Sequence, residues 1–75
     1  MPRGVTLITT SPGKMDDVAT GVKAVQGVRE ALTVAGRADI AAIFEGSFEE
    51  IPKILNGIQK VEGVQTTETL MELTE

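Results

Sequence analysis

The sequence predicts an α+β fold in which four strands and two helices follow one another in the order β-α-β-β-α-β. Three observations lead to this prediction. Two amphipathic segments with helical spacing alternate with runs that are either apolar or alternate with period two. A Val-x-Gly-Val join follows each helical segment, at residues 25–28 and again at 61–64. The most apolar run, residues 40–44, lies between these two halves and predicts a strand with both faces buried.

The first strand is predicted over residues 4–10, where Val5 and Leu7 alternate with Thr6 and Ile8. This alternation is typical of a strand with two different faces.

The first helix is predicted to begin at Ser11 as its N-cap, with Pro12 at the first helical position. Gly27 is predicted to end it. Its apolar residues recur at spacings of three and four and form one stripe: Met15, Val18, Val22 and Val25.

The second strand is predicted over residues 28–35, at a sheet edge because Glu30 interrupts its apolar side. A tight turn at Gly36 leads into the third strand, residues 38–45. Both faces of that strand need cover, and two helices in so small a domain cover only one face of the sheet. The other face is therefore predicted to be buried against another chain.

The second helix is predicted after a capping box of Ser47 and Glu50, and Pro52 predicts either an irregular first turn or a helix that starts there. Its apolar stripe comprises Phe48, Ile51, Leu55, Ile58 and Val61. Gly63 ends it, and residues 64–73 form the last strand. With right-handed crossovers the chain gives a ferredoxin-like antiparallel sheet, its first and third strands central and both helices on one face.

Size and composition favour association. Seventy-five residues form one domain, and a chain this short buries only about 60% of its unfolded surface. The sequence contains no cysteine and no histidine, so it offers no disulfide framework and no metal centre built on those residues. No metal or cofactor is expected, and partners remain the means of added stability.

Charge and aromatic content exclude several functions. The formal net charge is −4, the seven basic residues are scattered, and the two aromatic residues are both Phe. Direct contact with nucleic acid is therefore not expected. No signal peptide and no apolar run of about 20 residues is visible, which predicts a cytoplasmic protein without membrane contact. Because no catalytic constellation is evident either, an enzyme is not expected.

Four motifs, in their order and spacing, resemble the C-terminal effector-binding (RAM) domain of the Lrp/AsnC transcriptional regulators. They are residues 7–14, 25–28, 36–40, and the join at 61–64 with the threonine-rich run after it. The resemblance covers nearly the whole chain. It predicts a stand-alone domain over residues 1–75, without the helix-turn-helix DNA-binding domain of those regulators.

The resemblance implies assembly and effector binding. Two sheets are expected to pack face to face in a dimeric α/β sandwich, and dimers to join into rings such as octamers. A free amino acid is expected between dimers, and a full-length Lrp/AsnC-type regulator is a further expected partner. The predicted dimer interface comprises Leu7, Ile8, Ile40, Ala41, Ala42, Ile43 and Phe44.

The same resemblance implies the ligand residues. Gly36 and Asp39 match the Gly-x-x-Asp turn of the family, with Arg37 and Ala38 between them. The polar segment of the last strand is matched by Thr66, Thr67 and Thr69. Threonine hydroxyls, backbone N–H groups and a carboxylate suit a zwitterion. Ala38 stands where a larger or aromatic side chain is expected, so the amino acid is left open.

Simpler interpretations stand beside these. Gly36 is sufficiently explained as a turn residue, Asp39 as a cap or a partner of Arg37 or Arg29, and the threonines as strand formers. Two alternative functions remain open. One is a purely structural homo-oligomeric module, and the other an ACT-like amino-acid-binding domain.

Overall fold

A computed structural model describes residues 1–73 and shows the predicted order of elements. The elements are β1 (Arg3–Thr10), α1 (Met15–Lys23), β2 (Val28–Thr33), β3 (Ile40–Glu45), α2 (Ile51–Gln59) and β4 (Val64–Met71). The strands form one antiparallel sheet in the order β2-β3-β1-β4. The ferredoxin-like fold, the central β1 and β3 and the edge position of β2 are confirmed.

The core lies between the sheet and the two helices. Alternate residues of β1 and β3 point toward the helices, as period-two strands require. The buried apolar cluster comprises Ile8, Val18, Val22, Ile40, Ala42, Phe44, Ile51, Ile54 and Ile58. Thr6 is the one buried polar residue among those described, and its hydroxyl hydrogen-bonds that of Thr69 at 3.1 Å.

The predicted start of the first helix is wrong. Lys14, not Ser11, precedes α1, and the Ser11 carbonyl accepts a hydrogen bond from the Lys14 N–H at 3.0 Å. Pro12 and Gly13 form the middle of this turn. A Pro-Gly pair is the preferred centre of a type II turn, which here outweighs the N-cap preference of serine.

The capping box before the second helix is confirmed. The Ser47 N–H donates to Glu50 Oε1 at 2.8 Å, and the Glu50 N–H donates to Ser47 Oγ at 3.2 Å. Residues 48–50 form a turn, and α2 begins only at Ile51, with Pro52 in its first turn. The helix thus begins one residue before Pro52, after an irregular turn, so the structure combines features of both predicted outcomes.

The predicted apolar stripe of α2 needs two corrections. Phe48 is 79% exposed, because it lies in the turn before the helix and does not share the helical face. Ile54, which the predicted stripe omitted, occupies the core together with Ile51 and Ile58. These three residues recur at spacings of three and four, so they define the true buried face.

The repeated Val-x-Gly-Val segment forms the same turn twice. The Val28 N–H donates to the Val25 carbonyl at 3.1 Å, and the Val64 N–H donates to the Val61 carbonyl at 3.2 Å. The central glycine has φ of +100° in both turns, a conformation that residues with a Cβ rarely adopt. The two halves of the chain thus join helix to strand in the same way.

The first and last strands bring the two ends of the described chain together. The Glu72 N–H donates to the Arg3 carbonyl at 2.9 Å, beside an ion pair of the two side chains. Hydrogen bonding to Arg3 holds the pKa of the Glu72 carboxyl below its ordinary value. Within residues 1–73, no helix is long and apolar enough to cross a membrane.

Candidate ligand-binding site and the uncovered sheet face

The sheet face turned away from the helices carries an apolar centre, and we call it the open face. In the strand register, Val5 lies between Ile43 and Leu70, and Leu7 lies between Ala41 and Glu68. The open face also includes Leu32, Thr9 and Thr66. Leu32 and Leu70 are 43% and 49% exposed, so this face presents large apolar side chains to its surroundings.

Charged pairs border the apolar centre. Arg3–Glu72 (2.8 Å) and Arg29–Glu45 (3.5 Å) lie at one end, and Arg37–Glu68 (2.9 Å) lies toward the other. An apolar centre with a polar rim is the usual anatomy of a protein–protein interface. The open face therefore has the composition of an association surface.

The structure narrows the predicted dimer interface. Ile8, Ile40, Ala42 and Phe44 point toward the helices and are fully buried within the single chain. These four must be withdrawn from the interface, because they have no accessible surface to offer a second chain. The predicted interface residues on the open face are Leu7, Ala41 and Ile43.

The turn between β2 and β3 is tied to the end of β1. The Val34 N–H donates to the Asp39 carbonyl at 2.9 Å, and the Asp39 N–H donates to the Ile8 carbonyl at 2.8 Å. Gly36 has φ of +126°, which fits the predicted turn role. The Asp39 carboxylate accepts from the Thr10 N–H at 2.8 Å and from the Thr10 hydroxyl at 3.2 Å. Asp39 thus caps the β1–β3 ladder.

The two residues between Gly36 and Asp39 point in different directions. Ala38 is 5% exposed and continues the helix-facing row of Ile40, so it cannot line a site on the open face. Arg37 is exposed, and its guanidinium donates to Glu68 Oε1 at 2.9 Å.

The three predicted threonines are divided between the two faces of β4. The Thr66 hydroxyl hydrogen-bonds that of Thr9 on the open face. Thr67 accepts from Gln59 Nε2 of α2 at 3.4 Å, and Thr69 pairs with the buried Thr6. The single chain therefore brings Arg37 and Thr66 to one face, whereas Thr67 and Thr69 lie on the other.

Glu68 is the residue at this end of the face that sequence reasoning missed. It lies two residues after Thr66 and shares its face, so strand alternation alone would have grouped them. Its link to Arg37 connects the turn at residues 36–39 to β4, the two segments expected to bind a ligand.

A separate hollow of about 450 Å³ lies at the opposite end of the domain. Its lining includes Arg29 and Lys53 together with two carboxylates already engaged, Glu45 with Arg29 and Glu50 with Ser47. The Ser47 hydrogen bonds hold the pKa of Glu50 below its ordinary value. None of the predicted ligand residues lines this hollow. Among residues 1–73 no cluster of acidic residues has the arrangement of a metal site.

The elements define a small ferredoxin-like domain whose sheet has one uncovered face with exposed apolar side chains. A family model described as the Lrp/AsnC ligand binding domain matches residues 4–75. The chain therefore belongs to this family, and the resemblance seen in the four motifs is confirmed.

Solved structures show the same fold. A protein from Thermus thermophilus is 26% identical, with a TM-score of 0.91, and the match covers 100% of this chain and 96% of that one. AsnC of E. coli is 22% identical, with a TM-score of 0.87, and the match covers 99% of this chain and 52% of that one. A feast or famine regulatory protein from M. tuberculosis, complexed with L-methionine, is 19% identical, with a TM-score of 0.81. That match covers 100% of this chain and 52% of the regulator.

This chain thus spans about half the length of the E. coli and M. tuberculosis regulators but nearly all of the Thermus protein. No curated protein sequence matches it.

Proposed function

We propose that this chain is a self-associating regulatory domain that senses a free amino acid and modulates Lrp/AsnC-type transcriptional regulation. The observation that carries the proposal is the uncovered apolar sheet face, which has a polar turn at one end. Family membership and the L-methionine complex of the M. tuberculosis regulator support the sensing role. We expect the domain to act in the cytoplasm, without catalysis and without contacting DNA or membranes itself.

Association is proposed through the open face. Two copies related by a two-fold axis would bury Leu7, Ile43 and the exposed Leu32 and Leu70 against each other. Burial of these side chains would add apolar contacts to those of the small core that a 75-residue chain can form by itself. Rings of dimers, such as octamers, and mixed assemblies with a full-length regulator are the larger states we propose.

Sensing is proposed at the end of the open face that carries Gly36, Arg37 and Thr66. These residues offer backbone donors, a guanidinium and a hydroxyl, which suit the carboxylate of an amino acid. This end lies at the rim of the proposed dimer, where a second dimer could enclose the ligand. Such a ligand stabilises the assembly only if it binds the assembled state more tightly than the separated one. Effector binding and oligomeric state are therefore expected to change together.

Thermal unfolding at one fixed protein concentration, against a panel of free amino acids, tests this function. A ligand at 100 times its dissociation constant adds about 2.7 kcal/mol to the free energy of unfolding. In a domain this small, that corresponds to a Tm increase of several degrees. Sedimentation velocity with and without the active amino acid then shows whether binding changes the assembly.

A purely structural module is the second candidate, and two observations favour it. The Asp39 carboxylate is already engaged by Thr10, and Ala38 is buried. This candidate predicts a stable oligomer and no response to any amino acid, whereas sensing predicts a response confined to one or a few. A monomeric protein whose Tm is raised by none of the amino acids would contradict both candidates. The ACT-like alternative is set aside, because the chain belongs to the Lrp/AsnC family.

A further inference from the structure

We propose that Arg37 and Glu68 form a two-sided clamp for the charged groups of the effector. Arg37 binds its carboxylate and Glu68 binds its ammonium group. This inference rests on the proposed function, which it deepens by assigning the two groups that recognise the zwitterion.

The position of the pair supports this role. Arg37 belongs to the connection between β2 and β3, whereas Glu68 lies on β4, on the far side of β1. The side chains meet over β1, where Glu68 lies opposite Leu7. They therefore link the two segments that carry the accessible candidate ligand residues, Gly36 and Thr66.

The contact leaves capacity for a ligand. It joins one guanidinium nitrogen to one carboxylate oxygen. By contrast, Arg3 and Glu72 form two parallel hydrogen bonds, at 3.0 and 2.8 Å, which occupy both carboxylate oxygens. A guanidinium carries five N–H donors, so Arg37 has further donors in a planar arrangement suited to a carboxylate.

The ion pair between Arg37 and Glu68 is weak enough to open for a ligand. The Arg37 and Glu68 side chains are 78% and 47% exposed, and pairs this exposed contribute little to stability. Opening the pair therefore costs little. A bound zwitterion replaces one ion pair with two, and enclosure between copies of the domain strengthens charge-assisted hydrogen bonds by removing water.

The clamp predicts which compounds bind. A free α-amino acid satisfies both residues, whereas its amide lacks the carboxylate and its N-acetyl form lacks the ammonium group. The hydroxyls of Thr9 and Thr66 lie on the same face, two residues along their strands from Leu7 and Glu68, and could supply further polar contacts.

Binding measurements on Arg37→Gln and Glu68→Gln test the clamp. The probes are the free amino acid with the largest Tm increase in the panel, its amide and its N-acetyl form. Loss of a hydrogen bond to a charged group lowers affinity by about tenfold or more. We expect the affinity of Arg37→Gln for the free amino acid and for its N-acetyl form to fall by this factor, while its affinity for the amide is unchanged. The affinity of Glu68→Gln is expected to fall by the same factor for the free form and for the amide, but to stay unchanged for the N-acetyl form.

Arg3→Gln and Glu72→Gln are matched controls, because they break an ion pair of the same kind at the other end of the face. They are expected to bind all three compounds as the unchanged protein does. Unfolding curves without ligand verify that every variant is folded. If Arg37→Gln is unfolded, Arg37→Ala, which also removes the charge, replaces it.

Two results would overturn the clamp while leaving sensing intact. One is unchanged affinity of both variants for the free amino acid, and the other is an equal loss for all three compounds. A panel in which no amino acid raises the Tm of the unchanged protein would overturn the proposed function, and the clamp with it.

Discussion

The carboxylate of Asp39 accepts two hydrogen bonds from Thr10, at 2.8 Å from the backbone N–H and 3.2 Å from the hydroxyl. A residue expected to bind ligand therefore already has a structural role at the end of β1. The two roles make different predictions for its substitution.

Asp39→Ala is expected to lower the free energy of unfolding by about 1–3 kcal/mol, because the partly buried Thr10 N–H loses its acceptor. Asp39→Asn keeps an acceptor oxygen and is expected to lose less. Urea unfolding monitored by circular dichroism measures the free energy of unfolding of both variants. Unchanged stability of Asp39→Ala combined with a lost ligand response would contradict this assignment and restore a direct ligand role.

Threonine hydroxyls on opposite faces of β4 are expected to differ in their effect on sensing. Thr66→Val removes a hydroxyl from the open face, whereas Thr67→Val removes one that faces α2. We expect Thr66→Val to reduce the effector-induced rise in Tm and Thr67→Val to leave it unchanged. The opposite result would place the effector on the helix side of β4.

A charge on the open face is expected to prevent assembly. Leu7→Lys or Ile43→Lys would bury an unpaired ammonium group in the interface, so sedimentation velocity is expected to show a folded monomer. Phe48→Lys is the matched control, because Phe48 is 79% exposed and lies outside the open face. Dissociation of the control alone would show that the chain associates through the Phe48 surface instead.

Two glycines with positive φ are expected to differ in their tolerance of alanine. A Cβ at Gly63 would lie 2.7 Å from Cγ2 of the buried Val18, whereas one at Gly36 would meet nothing within 4 Å. Both changes strain the backbone by about 1–2 kcal/mol. Gly63→Ala is expected to lower the free energy of unfolding by a further ~1–3 kcal/mol, because its Cβ overpacks the core. Equal urea midpoints for the two variants would contradict this difference.

The capping box is expected to make stability depend on pH. Its hydrogen bonds lower the pKa of Glu50 in the folded state, so the ionised carboxylate stabilises the fold. This contribution is complete above the ordinary glutamate pKa of 4.5 and is lost as the pH falls through the lower pKa of the folded state. The Tm of Glu50→Gln is expected to lie below that of the unchanged protein at pH 7, and the difference is expected to shrink as the pH falls below 4.5. A Tm difference that does not change with pH would argue against the capping role of the carboxylate.

Local sequence signals predicted much of the fold. The capping box of Ser47 and Glu50 and the two Val-x-Gly-Val turns each involve residues no more than four positions apart, so the physics that forms them is visible in a short stretch. Ser11 shows the limit of such signals. It is an acceptable N-cap, but the Pro-Gly pair after it forms a turn that delays the helix to Met15.

The candidate site was less predictable, because it depends on which way strands face. In the apolar run at residues 40–44, nothing local distinguishes Ile40, which is buried under the helices, from Ile43, which lies on the open face. Arg37 and Glu68 are 31 positions apart, and only the strand order β2-β3-β1-β4 brings them together. The position of Ala38 in the core likewise follows from tertiary packing.

The backbone hydrogen bond between Glu72 and Arg3 has a practical consequence for joining this domain to other polypeptides. The first and last described residues leave the sheet next to each other, at the ends of β1 and β4 that lie far from the Gly36 turn. A tag or fused domain at either end would therefore point away from Arg37. A short linker between the two ends, with new ends opened inside the exposed turn, would give a circularly permuted chain with the same sheet.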